Sequence, residues 1–328
     1  MAIENFDVLL VGGGIIGLSL AWELAQQGAK VCVADRGKMG NESSWAASGM
    51  LPPGPPETLW PKLTARDQLA GLSHQLHPIW HERLLEATSV DTGFRRSGAV
   101  YLDPDIAPLC RKWADLGIEH EMLDSRGLAD LEPAIRTKLQ AAFLPGESQL
   151  RPPWHLRALI AACQSTGVVL RPHTPVVGFE RRCEKVLAAV TPRGKIHCGQ
   201  VCLTSGAWTA SLARELQLEI PIRPIRGQIL LLATPTNLIR RIVNVGHCYL
   251  TPRPDGRLLV GSTLEDAGFN SEVTVAGLGE LAAFAVDLCP ALADASVETS
   301  WAGLRPESAA GTPHLGRLPG LENAWIAA

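Results

Sequence analysis

The sequence predicts an α/β fold: one domain built on βαβ units, interleaved with a second α+β domain on a mainly antiparallel sheet. Three observations carry this. Residues 6–17 read FDVLLVGGGIIG, an apolar run suited to a buried parallel strand, then a glycine turn, then helical periodicity. A second short apolar run, KVCVA at 30–34, ends on Asp35. From Gly93 onward the texture changes to short strands and helices that form a lobe of their own.

The glycine turn comes first. Gly12, Gly14 and Gly17 fall in the spacing G-x-G-x-x-G. The first permits a tight turn out of the strand, the second lets a phosphate approach the backbone, and the third lets helix and strand pack closely. The helix over 15–27 closes on Gly28, a good C-cap, and its start offers free N–H groups and a positive dipole end to a pyrophosphate. Asp35 lies at about the twenty-residue separation at which an acid accepts hydrogen bonds from ribose hydroxyls. The competing reading is an ordinary βαβ unit with a surface aspartate. Strand, helix and acid together favour a Rossmann-like dinucleotide-binding unit.

Composition narrows the class. The chain has 328 residues, 46% of them hydrophobic, enough for two domains or one large one. Thirty basic and 33 acidic residues give a net charge of -3, and no basic stripe or like-charge run points to nucleic acid or an anionic membrane. The N-terminus carries Glu4 and Asp7 without a basic leader region, and the apolar stretch 8–20 is too short and glycine-rich to span a bilayer. A soluble, cytoplasmic protein is expected. Eight scattered cysteines form no C-x-x-C, so reduced thiols in the core are expected. His197, Cys198 and Cys202 have a metal-like spacing, but 200–204 reads as a strand, with 198 at its start and 202 at a buried centre, so no metal site is expected.

The remaining elements follow in order. RGKMGNESSWAASGML (36–51) is rich in small residues, which would let a flat ring lie on backbone, and Ser43 and Ser44 can cap a helix over 45–48. PPGPP (52–56) is extended and stiff, and 65–86 is a long amphipathic helix. The second lobe opens with a strand over 98–102, a helix over 106–116, a strand over 120–123 and a helix from Ser125 to near Pro133. A strand over 141–144 and a helix over 154–166 lead back to the first domain, followed by strands over 168–171, 176–180, 186–191 and 200–204. The last of these enters SGAW (205–208) and a helix from Thr209, a second place for backbone to approach a cofactor. The strand over 222–232 returns to the second lobe. A hairpin of 247–251 and 258–261 turns at Asp255-Gly256, then come a helix over 275–288 and strands over 297–302 and 324–328. The first domain is expected over 1–86, 146–218 and 304–328, and the second over 87–145 and 219–303.

Several segments together resemble the D-amino-acid oxidase superfamily of flavoproteins, in particular its glycine-oxidase branch from the thiamine pathway. They are VGGGIIG (11–17), MG…SSWAASGML (39–51), TPV (174–176), SGAW (205–208), GHCYLTPRPDGRLLVGST (246–263) and WAGLRPESAAGTPHLGR (301–317). The last two are the specific ones. The resemblance implies a glutathione-reductase-type FAD-binding domain and a substrate domain laid across one face of the isoalloxazine. The cofactor residues it implies are Gly12, Gly14, Ile15, Ile16, Gly17, Asp35, Arg36, Ser43, Ser44, Ser48, Gly49, Met50 and Val176. Arg305 and Tyr249 would hold the substrate carboxylate, and His247 would lie near them on the same strand face.

Elementary chemistry supports those roles. A small amino acid offers a carboxylate and an amine. Arginine binds the first with two parallel charge-assisted hydrogen bonds, and a tyrosine hydroxyl adds one donor at little entropic cost. The alternatives are a core aromatic for Tyr249, a surface ion pair for Arg305 and a structural role for His247. The implied reaction passes hydride from substrate Cα to flavin N5, yielding an α-keto acid, ammonia and hydrogen peroxide, and needs no strong base. The implied partners are a small amino acid and O2; relatives are commonly tetramers, but the sequence itself does not fix the oligomeric state.

Three positions depart from the family pattern. Asp35 stands where Glu is more usual, and Ala310 where relatives carry an acid. Relatives also continue past AWIAA (324–328) with a Gly-His-aromatic-Arg-x-Gly turn and a helix, from which weak FAD binding and slow turnover are expected of this chain. Three other readings stay open: a flavin dehydrogenase feeding a quinone or carrier, an NAD-binding dehydrogenase, and a non-catalytic remnant.

Overall fold

Valine- and leucine-rich runs bounded by glycine build the first sheet. In the computed structural model, which describes residues 4–235 and 237–328, its parallel core runs Val169–Arg171, Val31–Ala34, Asn5–Val11, Gly194–Leu203 and Ala324–Ala327 in spatial order. Residues 31–34 are buried on both faces, as a central parallel strand requires. One face packs on the helices Ile15–Gln26, Ala65–Thr88 and Pro152–Ser165 through Leu10, Leu18, Trp22 and Leu159. The other is covered by an antiparallel extension, Gly178–Arg182 and Lys185–Thr191, with Leu9, Val11, Ile196 and Leu203 at its core.

The second sheet has eight strands in the order Ser296–Ser308, Ile222–Ala233, Arg257–Gly261, Cys248–Pro252, Ile242–Val245, Ala99–Asp103, Gln140–Leu144 and Glu121–Leu123. Every neighbouring pair is antiparallel except Ile242–Val245 with Ala99–Asp103. The helix Val275–Leu288 covers one face, capped where the Gly277 N–H donates to Thr274 Oγ1 at 3.1 Å. The Asp255-Gly256 turn forms as read: Arg253 N–H donates to Arg257 O at 2.7 Å, and Gly256 takes φ +81°.

Some boundaries differ, for physical reasons. The strand expected over 297–302 continues to Ser308 through Pro306, which faces Pro224 across the ladder. It is an edge strand, so a missing N–H there breaks no ladder bond on the open side. Residues 304–308 therefore belong to the second sheet. The helix read at 45–48 lies at Glu42–Ala46, the strand read from 200 starts at Gly194, and the strand read from 247 starts at Cys248. Cys198 consequently sits inside its strand and is buried. Two-residue strands at Met50–Leu51, Arg95–Arg96 and Ser148–Gln149 form a small third sheet with no counterpart in the sequence reading.

All eight cysteines are free, and only Cys183 is exposed. Burial pushes the thiols of Cys32, Cys163 and Cys202 up to about 12. Among the described residues no helix is long and apolar enough to cross a membrane.

Glu147 precedes the short strand Ser148–Gln149 and is fully buried. Its Oε2 accepts the Tyr101 hydroxyl at 2.8 Å, while Oε1 has no partner among the described residues. Burial raises its carboxyl to about 7 against the lowering effect of Tyr101. The folded state thus holds a proton that the unfolded state loses near pH 4.5, so the contribution to stability is full below that pH and is lost as pH rises through about 7. Glu147→Gln keeps an acceptor and removes the titration. Denaturant melts should show the variant gaining on the parent between pH 4.5 and 7, by on the order of 2–3 kcal/mol above pH 7.

Candidate active site

Three strand ends and their turns define a cleft at the carboxyl edge of the parallel sheet, where open α/β sheets bind ligands. Gly12 leaves the first strand at φ +119°, and a Cβ there would meet Thr204 O at 2.5 Å, so only glycine allows this turn beside the Gly194–Leu203 strand end. Asp35 ends the second strand. Its Oδ2 accepts the Gly13 N–H and its Oδ1 accepts the Gly37 N–H, both at 2.7 Å, which fixes the carboxylate at the lip of the cleft. Ser44 reaches across so that Ile15 N–H donates to its Oγ at 3.0 Å.

The cavity so formed has a volume of about 280 Å³. It gathers Gly12, Gly14, Asp35, Arg36, Ser43, Ser44 and Val176 from the sequence-derived set. It also contains Trp208, whose ring carries the Arg36 guanidinium at 3.6 Å from its centroid. Trp208 belongs to the SGAW stretch that the sequence singled out as a backbone approach. Its part as the platform for Arg36 needed the fold. Gly17 lies below, packed against Gly12 O, and Ile15, Ile16 and Gly49 do not line the cavity.

Ser43 also lines a second cavity of about 210 Å³, so the two cavities adjoin at that residue. The second is walled by Ala46, Ala47, Ser48 and Met50 from the loop and by Gly227, Ile229, Tyr249, Gly303 and Arg305 from the second sheet. Small residues leave room for a flat ring. Tyr249 is buried in the strand Cys248–Pro252, and its ring occupies the space left by Gly261, where a Cβ would come within 2.7 Å. The Arg305 guanidinium lies over Gly227, where a Cβ would come within 2.3 Å. It donates to Thr263 O at 3.2 Å and to Ser262 Oγ, both neutral acceptors. Its neighbour Arg226 is instead paired with Glu265. Burial alone would raise the Glu265 carboxyl, but hydrogen bonds from Arg226, Thr263 and Gln228 hold it at about 2. Arg305 therefore keeps its charge for an incoming anion, whereas Arg226 has spent its own.

His247 lies elsewhere. It sits in the turn before the tyrosine strand, its side chain more than half exposed, with Nε2 3.8 Å from Glu280 Oε1. It does not line the cavity that holds Tyr249 and Arg305.

The donor set fits FAD: a glycine turn at a helix start, an acid at the end of the second strand, and a small-residue slot leading away from them. A family model described as FAD dependent oxidoreductase matches residues 7–328. The chain belongs to this FAD-dependent oxidoreductase family.

Other members support the assignment. Glycine oxidase of Pseudomonas putida is 36% identical over 325 residues, covering 98% of this chain and 88% of that protein. The crystal structure of glycine oxidase from Geobacillus kaustophilus matches with a TM-score of 0.92 at 29% identity, over 99% of this chain and 89% of that one. Iminodiacetate oxidase from Chelativorans sp. BNC1 matches with a TM-score of 0.86 at 27% identity, over 98% and 89%. This FAD-dependent oxidoreductase thus shares the glycine oxidase fold, a Rossmann-like cofactor domain and an antiparallel substrate sheet.

The seat of Arg305 gives a test. Gly227→Ala would drive a methyl into the guanidinium, and relieving such overpacking costs about 1–3 kcal/mol. Acetate, titrated against the visible spectrum of the flavin-loaded chain, should bind about tenfold more weakly to the variant.

Proposed function

We propose that the chain oxidatively deaminates small amino acids, glycine foremost, to the α-keto acid, ammonia and hydrogen peroxide. One observation carries the reading: the Arg305 guanidinium, without an acidic partner among the described residues, lines with Tyr249 a small-residue slot that adjoins the dinucleotide cleft at Ser43. The names of the relatives, glycine oxidase and iminodiacetate oxidase, lie in the same substrate class.

In this reading Gly12, Gly14 and the helix start behind them hold the pyrophosphate, Asp35 the ribose, and Val176 with Trp208 the adenine end. Ser43, Ser48 and Met50 border the ring. FAD held there would supply the oxidising chemistry, a two-electron acceptor for the substrate Cα–H that oxygen can reoxidise to give peroxide. The protein supplies position. Arg305 takes the carboxylate through two parallel N–H donors, Tyr249 adds a third, and together they fix which Cα hydrogen faces the ring. The only ionisable side chains lining this cavity among the described residues are Tyr249 and Arg305, neither a base of the carboxylate or imidazole kind. The amine must therefore arrive neutral, or lose its proton to solvent. His247, turned toward Glu280, has no part in this scheme.

An anaerobic absorption spectrum of the purified chain, before and after glycine, tests the reading. Flavin bands that bleach with glycine, followed by one peroxide per turnover on admitting oxygen, are expected. Bleaching by iminodiacetate or sarcosine but not glycine would move the substrate. Failure with all three would refute the proposal, and bleaching without peroxide would make the chain a dehydrogenase. Turnover at limiting glycine should rise with pH, as the amine loses a single proton. Arg305→Ala should lower kcat/KM by about 10²–10³-fold, the loss of two charge-assisted hydrogen bonds, and Tyr249→Phe by about 3–10-fold.

A further inference from the structure

The stretch Ser48–Leu51, which lines the second cavity with Ser48 and Met50, belongs to neither large sheet. Its conformation must be imposed from outside. Arg253, the first residue of the turn that follows the tyrosine strand, is buried against it. Its Nη2 donates to Ser48 O at 2.5 Å, and its Nη1 donates to Gln149 Oε1 at 2.7 Å and to Leu150 O at 3.0 Å. One guanidinium thus spans the loop and the short strand that pairs with it.

We propose that Arg253 is the positioning residue that sets the Ser48–Met50 loop for the flavin and couples it to the hairpin carrying Tyr249. In a trans peptide, C=O and N–H point to opposite sides. Fixing Ser48 O on Arg253 turns the Gly49 N–H away from the arginine, and no backbone acceptor meets that N–H among the described residues. The next carbonyl, Gly49 O, is taken by Leu150 N–H at 2.9 Å. The Ser48 and Gly49 carbonyls are thus both taken, by Arg253 and by Leu150 N–H, which leaves the Gly49 N–H as a backbone donor for an acceptor on the ring edge. The hairpin is itself held at both ends: Arg95 Nη2 donates to Pro252 O at 2.6 Å, and Arg151 Nη1 meets Asp255 Oδ2 at 2.6 Å. Burial and the nearby Arg151 and Arg95 lower Arg253 to about 9, which leaves it cationic at neutral pH beneath the loop. Lysine, with no planar fork, cannot reproduce the three bonds.

This inference rests on reading the second cavity as the flavin slot, so its test separates the two. Three chains are compared: the parent, Arg253→Lys, and Asp255→Asn, which breaks the Arg151 bridge of the same hairpin and leaves the Arg253 bonds intact. The first readout is amide hydrogen exchange in the flavin-free chains. Arg253→Lys should exchange Leu150 N–H at least tenfold faster with the central strand Ile222–Ala233 unchanged, and Asp255→Asn should not. The second is FAD affinity by fluorescence quenching, expected to weaken about tenfold for Arg253→Lys alone. At saturating FAD the KM for glycine should stay within about twofold while kcat falls, since Arg305 and Tyr249 are untouched. Unchanged Leu150 exchange in Arg253→Lys, or the same loss of FAD affinity in Asp255→Asn, would overturn the proposal. Faster Leu150 exchange in Arg253→Lys, together with a parent chain that binds no FAD, would instead uphold the loop's dependence on Arg253 and refute the flavin reading.

Discussion

The segment 43–51 lies between two sheets that have no strand in common, and the molecule's organisation depends on how that segment is clamped. The clamp is made largely of bonds to backbone, with Trp45 packed edge-on against Trp301 across the seam. Ser43 Oγ donates to Leu304 O, the Trp301 indole N–H to Ala46 O at 3.0 Å, and Arg253 to Ser48 O. Close approach requires small residues: a Cβ on Gly303 would lie 2.7 Å from the Ala46 Cβ. The slot between cofactor domain and substrate sheet is therefore a consequence of small side chains facing each other across the seam. Bulk on either side would close it or push the sheets apart.

The same economy explains the division of charge around the slot. Arg226 and Arg305 leave adjacent strands of one sheet, yet Arg226 is neutralised by Glu265 while Arg305 meets only a carbonyl and a hydroxyl. A half-buried cation with neutral partners is an unsatisfied electrostatic demand, and a small carboxylate answers it. The acid that could have quenched Arg305 is held in place by Arg226, Thr263 and Gln228.

What was legible in the sequence was what is local. The glycine turn, Asp35 and the Asp255-Gly256 hairpin are encoded within a few residues each, by positive φ, close approach and strand ends. The strand over 296–308 was half legible: its start could be read, but its continuation through Pro306 depends on the partner Pro224 and on lying at an edge. Tyr249 and Arg305 were found through family resemblance, since no periodicity marks a tyrosine or an arginine as facing a cavity. Arg253 and Trp208 stand within quoted motifs, but their work depends on partners some two hundred and some one hundred and seventy residues away in the chain, Ser48 and Arg36. The third small sheet was invisible because two-residue strands have no period to detect. His247 reads as a neighbour of Tyr249 by alternation, yet the strand starts one residue later than expected, which leaves His247 in the turn and near Glu280.

The buried cysteines carry a chemical consequence. Peroxide attacks thiolates, not thiols, and only where it can reach them. Seven of the eight sulfurs are shut inside the protein, and burial keeps those of Cys32, Cys163 and Cys202 protonated far above neutral pH. If the chain releases peroxide as proposed, its buried thiols are insulated from that oxidant. Cys183, alone at the surface in the turn between Gly178–Arg182 and Lys185–Thr191, is left as a single chemical handle for attaching a dye or a support at the far edge of the first sheet.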